Sequence, residues 1–81
     1  MRFDSLLPPE AVRDTPRFVL TGRNQLLIEG HKGLLHCEDE SISVHIPKGT
    51  LMINGTHLSI ASLGTQDMII CGNICRLEFL P

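Results

Sequence analysis

Residues 41–61 read SISVHIPKGTLMINGTHLSIA, and this stretch decides the fold class. Apolar and polar residues alternate in it, most regularly over residues 42–46. An alternation of period two is typical of β-strands that bury one face. Pro47-Lys48-Gly49 and Asn54-Gly55 interrupt the alternation with residues that favour tight turns, and Asn-Gly is a strong hairpin signal. The stretch therefore predicts short antiparallel strands joined by hairpins.

The same pattern extends from this stretch in both directions, from Arg17 to the C-terminus. Short apolar runs are separated by turn-forming residues about every eight positions, which is typical of an all-β domain. Gly30-His31-Lys32-Gly33 suits a turn, and Gly72-Asn73 suits a type II′ hairpin turn. The sequence thus predicts about eight strands, at 17–22, 25–30, 33–38, 41–46, 50–54, 57–61, 67–71 and 74–80.

Paired strands recur about every 16 to 17 residues, starting near residues 17, 33, 50 and 67. A chain of hairpins has this period, and so does a solenoid with two strands in each coil. Because Asn-Gly and Gly-Asn are hairpin dipeptides, the sequence favours a small antiparallel β-sandwich or roll. A short β-solenoid is the alternative.

Residues 1–16 differ from the rest and contain three of the five prolines. Pro9 suits the first turn of a short helix, and Pro16 ends it because the residue before a proline avoids the helical conformation. We expect an N-terminal arm or a single helical turn at 1–16, followed by one β domain at 17–81.

Size and charge exclude several functional classes. The 81 residues make one domain, and the net charge of −2 comes from charges spread along the chain. Nucleic-acid binding normally requires a basic stripe, which the sequence lacks. Its apolar runs are far shorter than the roughly 20 residues that span a bilayer, and its first residues do not resemble a signal peptide. We therefore expect a cytosolic protein that binds neither nucleic acid nor a small-molecule substrate.

No residues combine into a recognisable catalytic site. His36 and Cys37 are adjacent on a predicted strand, so their side chains point to opposite faces and cannot form a nucleophile–base pair. Glu38-Asp39-Glu40 is best explained as a solvated loop. Gly22-Arg23-Asn24 is followed by a predicted strand, whereas a phosphate-binding loop is followed by a helix. We predict that the protein is not an enzyme and has no cofactor.

The cysteines and histidines are the remaining candidates for a metal or redox site. We expect the three cysteines to be reduced and buried, because their odd number does not indicate a disulfide framework. Structural zinc usually requires a second cysteine pair besides one such as Cys71–Cys75, so we predict no metal site. A metal- or thiol-dependent regulatory protein is the alternative function. It would use Cys71, Cys75 and one of the four histidines, His31, His36, His45 or His57.

Several strands carry apolar residues on both faces, as at Leu26-Leu27, Leu34-Leu35 and Ile69-Ile70. One buried sheet face does not account for both. A two-layer core, an oligomer interface, or both would bury them. The unpaired edges of a small sheet also offer sites for a strand of a partner or of another copy.

Residues 14–22 read DTPRFVLTG and residues 25–33 read QLLIEGHKG. Together they resemble the opening of the YabP/YqfC family of bacterial sporulation proteins, and of its YqfC branch in particular. That branch has a Pro-Arg-hydrophobic stretch that ends in Gly, followed by Leu-x-Ile-Glu-x-His-x-Gly. The later pattern Leu51-x-Ile53-x-Gly55-x-x-Leu58-x-Ile60 resembles the second half of the family.

The resemblance implies a small non-enzymatic protein that acts in the mother cell during spore formation. It also implies an integral membrane sporulation protein as partner, peripheral attachment at the outer forespore membrane, and a role in spore envelope or cortex assembly. Self-association is a further expectation. The matched polar positions and a neighbouring lysine are the candidate partner contacts, with a structural role in turns and sheet edges as the alternative. These residues are Arg17, Glu29, His31 and Lys32.

Overall fold

The computed structural model describes residues 15–81, which form six β-strands in one open sheet. Every strand pair is antiparallel. This confirms the predicted all-β antiparallel class and excludes the solenoid, whose coils pair in parallel. Residues 1–14, on which most of the predicted N-terminal arm or helical turn falls, lie outside the described residues. Within residues 15–81, no helix is long and apolar enough to cross a membrane.

The strands are β1 (Arg17–Thr21), β2 (Gln25–Glu29), β3 (Gly33–Glu38), β4 (Ser41–Ile46), β5 (Gly49–Leu63) and β6 (Asp67–Leu80). The first four strands end within one residue of their predicted bounds. The sheet order is β1-β2-β6-β5-β4-β3, so β1 and β3 form its two edges.

The last two strands are longer than predicted, and two predicted hairpin turns are wrong. Residues 50–54 and 57–61 both belong to β5, and residues 67–71 and 74–80 both belong to β6. Asn54-Gly55 and Gly72-Asn73 therefore lie inside strands. The β5–β6 register shifts beside these residues, as in a β-bulge, where extra residues bend a strand without ending it. The observed strand number is thus six rather than about eight.

Two neighbouring turns supply backbone carbonyls to these bends. The turn between β3 and β4 accepts hydrogen bonds from the bend of β5, and the turn between β1 and β2 accepts them from the bend of β6. An unpaired buried N–H costs about 1–3 kcal/mol, so these bonds allow the strands to bend while their donors stay paired. The bonds run from Gly55 N–H to Glu40 O (3.1 Å), Leu58 N–H to Asp39 O (2.8 Å), Gly72 N–H to Asn24 O (3.1 Å) and Ile74 N–H to Arg23 O (2.8 Å).

Two glycines allow β5 and β6 to approach closely at the bends. A Cβ atom at Gly55 would overlap the carbonyl oxygen of Asn73. A Cβ atom at Gly72 would lie 2.5 Å from the His57 carbonyl oxygen and 2.8 Å from the Leu58 Cα atom. Gly72 also has φ +137°, a backbone conformation that residues with a side chain rarely adopt. Glycine at these positions therefore permits a bend rather than a chain reversal.

The bends divide the sheet into two half-sheets. The first half-sheet contains β3, β4, residues 49–55 and residues 74–80, and the second contains β1, β2, residues 59–63 and residues 67–71. Buried side chains from both half-sheets form one core, so the sheet folds over itself as a roll. The core residues are Leu26, Ile28, Ile42, Val44, Ile46, Leu51, Ile53, Leu58, Met68, Ile70 and Ile74.

An aromatic pair joins the two half-sheets at the rim of this core. Phe18 of β1 and Phe79 near the end of β6 pack edge to face, with ring centroids 5.4 Å apart. Such pairs contribute about 0.5–1.5 kcal/mol beyond the area they bury. The contact holds β1 close to the end of β6, a strand segment with which it does not pair in the sheet.

The three cysteines are free, but they are not buried as predicted. Cys37 and Cys75 are exposed, and Cys71 is half-buried. Cys37 lies on the edge strand β3, where the last four residues are all exposed. Cys75 is the extra residue between Ile74 and Arg76 in the β5–β6 register, so the bulge displaces it and Ile74 takes the buried position. The prediction of burial is therefore wrong for Cys37 and Cys75.

Candidate interaction surface

The four predicted contact residues lie together at one end of the second half-sheet. Arg17 begins β1 and stands opposite Glu29, which ends β2. His31 and Lys32 follow Glu29 in the connection that leads from β2 to β3. The sequence does not show that these four residues are close in space, because they belong to two separate motifs. Contact with a partner stays a prediction for all four.

Arg17 and Glu29 form an ion pair across the open end of the β1–β2 hairpin. The Arg17 Nη1 atom lies 3.1 Å from Glu29 Oε1, and the two side chains are 71% and 38% exposed. Exposed ion pairs contribute only about 0–1 kcal/mol, because water solvates both charges. The two side chains are therefore accessible charges at the end of the hairpin.

His31 is buried, with only 5% of its surface exposed, and both of its ring nitrogens are hydrogen-bonded. The Gly33 N–H donates to His31 Nδ1 (3.0 Å), which leaves Nε2 to carry the proton and donate to the Gly64 carbonyl (3.0 Å). The side chain thus joins the β2–β3 connection to the β5–β6 turn. This is the structural role that the sequence left open as the alternative.

Backbone bonds strengthen the same junction. The Gln66 carbonyl accepts from both Gly30 N–H (2.7 Å) and His31 N–H (3.2 Å), and the Lys32 N–H donates to the His45 carbonyl (2.6 Å). Sequence reasoning did not identify Gln66. Its contribution is made by a main-chain carbonyl, which every residue has, so no side-chain signal could have identified it.

Two open clefts flank this junction. The first cleft has a volume of about 450 Å³ and lies between the start of β3 and the β5–β6 turn. The second has a volume of about 540 Å³ and lies beside the Arg17–Glu29 pair, and Gln66 lines both. The first is lined by residues 31–34 and 63–66, and the second by Thr15, Pro16, Arg17, Glu29, Gly30, Gln66 and Asp67.

The other candidate sites remain dispersed in the described part of the chain. His36 stands opposite Ser43 and Cys37 opposite the core residue Ile42, so these two neighbours point to opposite faces as predicted. Cys71 and Cys75 lie on one continuous strand rather than across a turn. Within residues 15–81, no three His, Cys, Asp or Glu side chains come close enough to hold a metal ion.

The acidic segment Glu38-Asp39-Glu40 is exposed, as predicted for a solvated loop, although Glu38 is the last residue of β3. Asp39 and Glu40 form the tight turn between β3 and β4, and their carbonyls bind the bend of β5. Gly22-Arg23-Asn24 is the turn between β1 and β2 and is followed by a strand. Both segments therefore have structural roles at the bends.

Comparison with known proteins assigns the family. The model of the YabP family matches residues 13–81, which include all six strands and the candidate surface. The chain belongs to the YabP family. It is also 28% identical over 74 residues to the uncharacterized protein YqfC of Bacillus subtilis (strain 168), with 91% of this chain and 80% of that relative covered. The resemblance to the YabP/YqfC family that the two N-terminal motifs indicate is confirmed.

Proposed function

We propose that this YabP family protein is a non-enzymatic interaction module of spore formation. It acts in the mother cell, beside an integral membrane sporulation protein at the outer forespore membrane, in assembly of the spore envelope or cortex. The observation that carries the proposal is the family match over residues 13–81. The family resemblance supplies the partner class and the location.

The geometry of the candidate interaction surface supports a protein partner. Arg17 and Lys32 expose positive charges beside two open clefts, and the first cleft also contains Leu34 and Leu63. Protein interfaces commonly combine apolar side chains with arginine and a polar rim. The backbone of this surface is also held in place, because the hydrogen bonds of His31 and Gln66 fix the connection that contains Lys32.

Capture of partners from sporulating cells tests the proposal. The tagged full-length protein is used as bait, and membrane proteins are solubilised and retained. We expect an integral membrane protein to be recovered with it, and to be lost or reduced with the Arg17→Glu variant. Recovery of soluble metabolic enzymes alone would contradict the membrane partner.

Arg76→Glu is the matched control for this experiment. Arg76 also forms an exposed ion pair with a glutamate, with Nη2 3.3 Å from Glu78 Oε1 and side chains 68% and 44% exposed. It lies on the first half-sheet and lines neither of the two clefts. Equal recovery with Arg17→Glu and Arg76→Glu would show that the partner binds elsewhere.

Localisation provides a second test that does not depend on the contact residues. A fluorescent fusion to the full-length protein is expected to appear in the mother cell and to concentrate around the forespore. A signal inside the forespore, or one that stays diffuse throughout sporulation, would contradict the proposed site of action.

A further inference from the structure

The outer edge of β3 is an open strand edge. In the described sheet β3 pairs with β4 on one side, and no strand lies beside its other side. The last four of its six residues are exposed, and Leu35 is 58% exposed. A strand edge of this kind presents N–H and C=O groups that an added strand can bind.

The charges at the two ends of β3 have opposite signs. Lys32 precedes the strand and is exposed. Glu38 ends the strand, Asp39 and Glu40 follow it in the turn, and all three are exposed. A second copy of β3 in the antiparallel direction brings the basic start of each strand to the acidic end of the other. Opposite charges across an edge favour this partner and this direction.

The β3–β4 register determines which residues of β3 share a face. Leu34 and Cys37 stand opposite Val44 and Ile42, which are core residues, so both lie on the core face of the sheet. Gly33, His36 and Glu38 lie on the other face, and Leu35 is the extra residue of a bulge between Leu34 and His36.

A two-fold axis perpendicular to the sheet keeps each face on its own side. Symmetric antiparallel pairing of two β3 strands must therefore match core-face residues with core-face residues. With Leu35 as the extra residue in each copy, one register pairs the whole strand and meets this condition. It places Gly33 opposite Glu38 of the second copy, Leu34 opposite Cys37, His36 opposite His36, and Lys32 opposite Asp39.

We propose that two copies of this chain associate through antiparallel pairing of their β3 strands, in the register that sets Lys32 of each copy beside Asp39 of the other. The two open sheets then form one continuous sheet. Because the contact is isologous, each charge pair occurs twice.

The first cleft fits the same arrangement. It lies at the start of β3, and of its eight lining residues only Lys32 carries a full charge. Leu34 and Leu63 line it as well, and Leu63 is 54% exposed. The end of the second β3 strand arrives there with Cys37 beside the leucines and its acidic turn beside Lys32.

The β1 edge lacks these features. Arginines stand at or near both ends of β1, at positions 17 and 23, so self-pairing of this strand brings no opposite charges of its own together. Pro16 precedes it and has no N–H to donate. The two edges of the sheet therefore differ, and the β3 edge is the self-complementary one.

The oligomeric state and charge reversal test the proposal. Sedimentation of the full chain over a concentration series is expected to show a species of twice 9.0 kDa. Lys32→Glu and Asp39→Lys should each raise the dimer dissociation constant by about tenfold or more, since each places like charges together twice. The double variant Lys32→Glu/Asp39→Lys should restore dimerisation.

Arg23→Glu is the control, because it makes the same charge change at the turn beside β1. A monomer at every concentration would overturn the proposal, and so would a dimer that Arg23→Glu weakens and Lys32→Glu does not. Lys32 and the first cleft belong to both surfaces, whereas Arg17 lines only the second cleft. Arg17→Glu should therefore leave the dimer intact, and it is the variant that separates partner binding from dimerisation.

Disulfide trapping tests the register independently of charge. The variant Leu34→Cys is made in a chain with Cys71→Ser and Cys75→Ser, so that native Cys37 is the other thiol. Residues 34 and 37 of one strand are about 9 Å apart, too far for a bridge, whereas opposite residues in an antiparallel pair are within range. Mild oxidation should therefore produce a disulfide-linked dimer.

The same chain without Leu34→Cys is the control and should stay uncrosslinked. Circular dichroism of each variant before oxidation verifies that the sheet is intact. Crosslinking that is equal in the two chains, or absent in a Leu34→Cys chain that sediments as a dimer, would overturn the register.

Discussion

The tight turns and the bends of this sheet change the direction of the backbone in different ways. The turns at residues 22–24 and 39–40 reverse the chain and are exposed on the surface. The bends at Gly55 and Gly72 change the direction of β5 and β6 without ending them, and they are too crowded for a side chain. The two kinds of region are bonded to one another, because the turn carbonyls accept the N–H groups of the bends.

This difference shows that partner strands decide whether a glycine dipeptide becomes a turn. On one side of Gly55, β5 pairs with both β4 and β6, and on the other side it pairs with β6 again. A hairpin at Asn54-Gly55 would pair residues 50–54 with residues 57–61 and give up these ladders. The continuous strand retains them and brings both half-sheets onto one core.

Replacing the crowded glycine of a bend should have the largest effect. Gly72→Ala combines an unfavourable φ of +137° with overlap against His57 and Leu58, so we expect a loss of about 4 kcal/mol in the free energy of unfolding. That is a large fraction of the stability of a domain of 81 residues. Denaturant unfolding followed by circular dichroism measures it.

Gly33→Ala is the matched control for this variant. Gly33 has the same φ of +137°, but a Cβ atom there would meet nothing within 4 Å. Its cost should be the backbone strain alone, about 2 kcal/mol. Equal losses for Gly33→Ala and Gly72→Ala would mean that crowding does not distinguish the bend.

His31 joins the ends of the sheet that lie away from the bends, and its loss should rank second. His31→Ala leaves the Gly33 N–H and the Gly64 carbonyl without their side-chain partner, at a cost of about 2 kcal/mol. His31→Asn should recover part of this loss, because its side-chain oxygen can replace Nδ1 as the acceptor. His45 is exposed, so His45→Ala is the control. A similar loss of unfolding free energy from both alanine variants would contradict the role of His31.

Local sequence patterns predicted the first four strands because there the alternation and the turns agree. In β5 and β6 the patterns on either side of the glycines were also correct, but a local pattern carries no information about neighbouring strands. The bulge at Cys75 also caused an error, because one extra residue moves the residues before it to the opposite face of the sheet. The error was therefore confined to what the partner strands determine.

Of the candidate surface, the sequence predicts only the exposed polar side chains. Arg17, Glu29 and Lys32 belong to a recognisable polar pattern, and the structure brings them to one end of the sheet. The burial of His31 depends on the Gly64 carbonyl of a distant turn, and the contribution of Gln66 is made by its backbone. Neither has a signature in the residues around it.

A glycine in a tight turn should be less important than one in a bend. Gly22 has φ +56°, and the nearest atom to an added Cβ would be Asn24 Nδ2 at 3.9 Å. Gly22→Ala should therefore cost about 1 kcal/mol from backbone strain alone. Gly22→Asn should cost less, since asparagine tolerates the left-handed conformation. The two denaturant midpoints measure the difference, and a loss as large as that of Gly72→Ala would remove the distinction between turn and bend.

The ion pair that closes the β1–β2 hairpin should have the smallest effect. Arg17→Ala removes a side chain that is 71% exposed and paired at 3.1 Å, so we expect a loss of about 0.5 kcal/mol. The loss should shrink at high salt, because counterions screen exposed charges. A double-mutant cycle with Glu29→Ala isolates the pair itself, and the Arg76–Glu78 pair on the other half-sheet is its counterpart. A coupling near 2 kcal/mol that salt leaves unchanged would show that Arg17 stabilises the hairpin. A small, salt-sensitive coupling would mean that the exposed Arg17 contributes little to stability, as expected of a residue that contacts a partner.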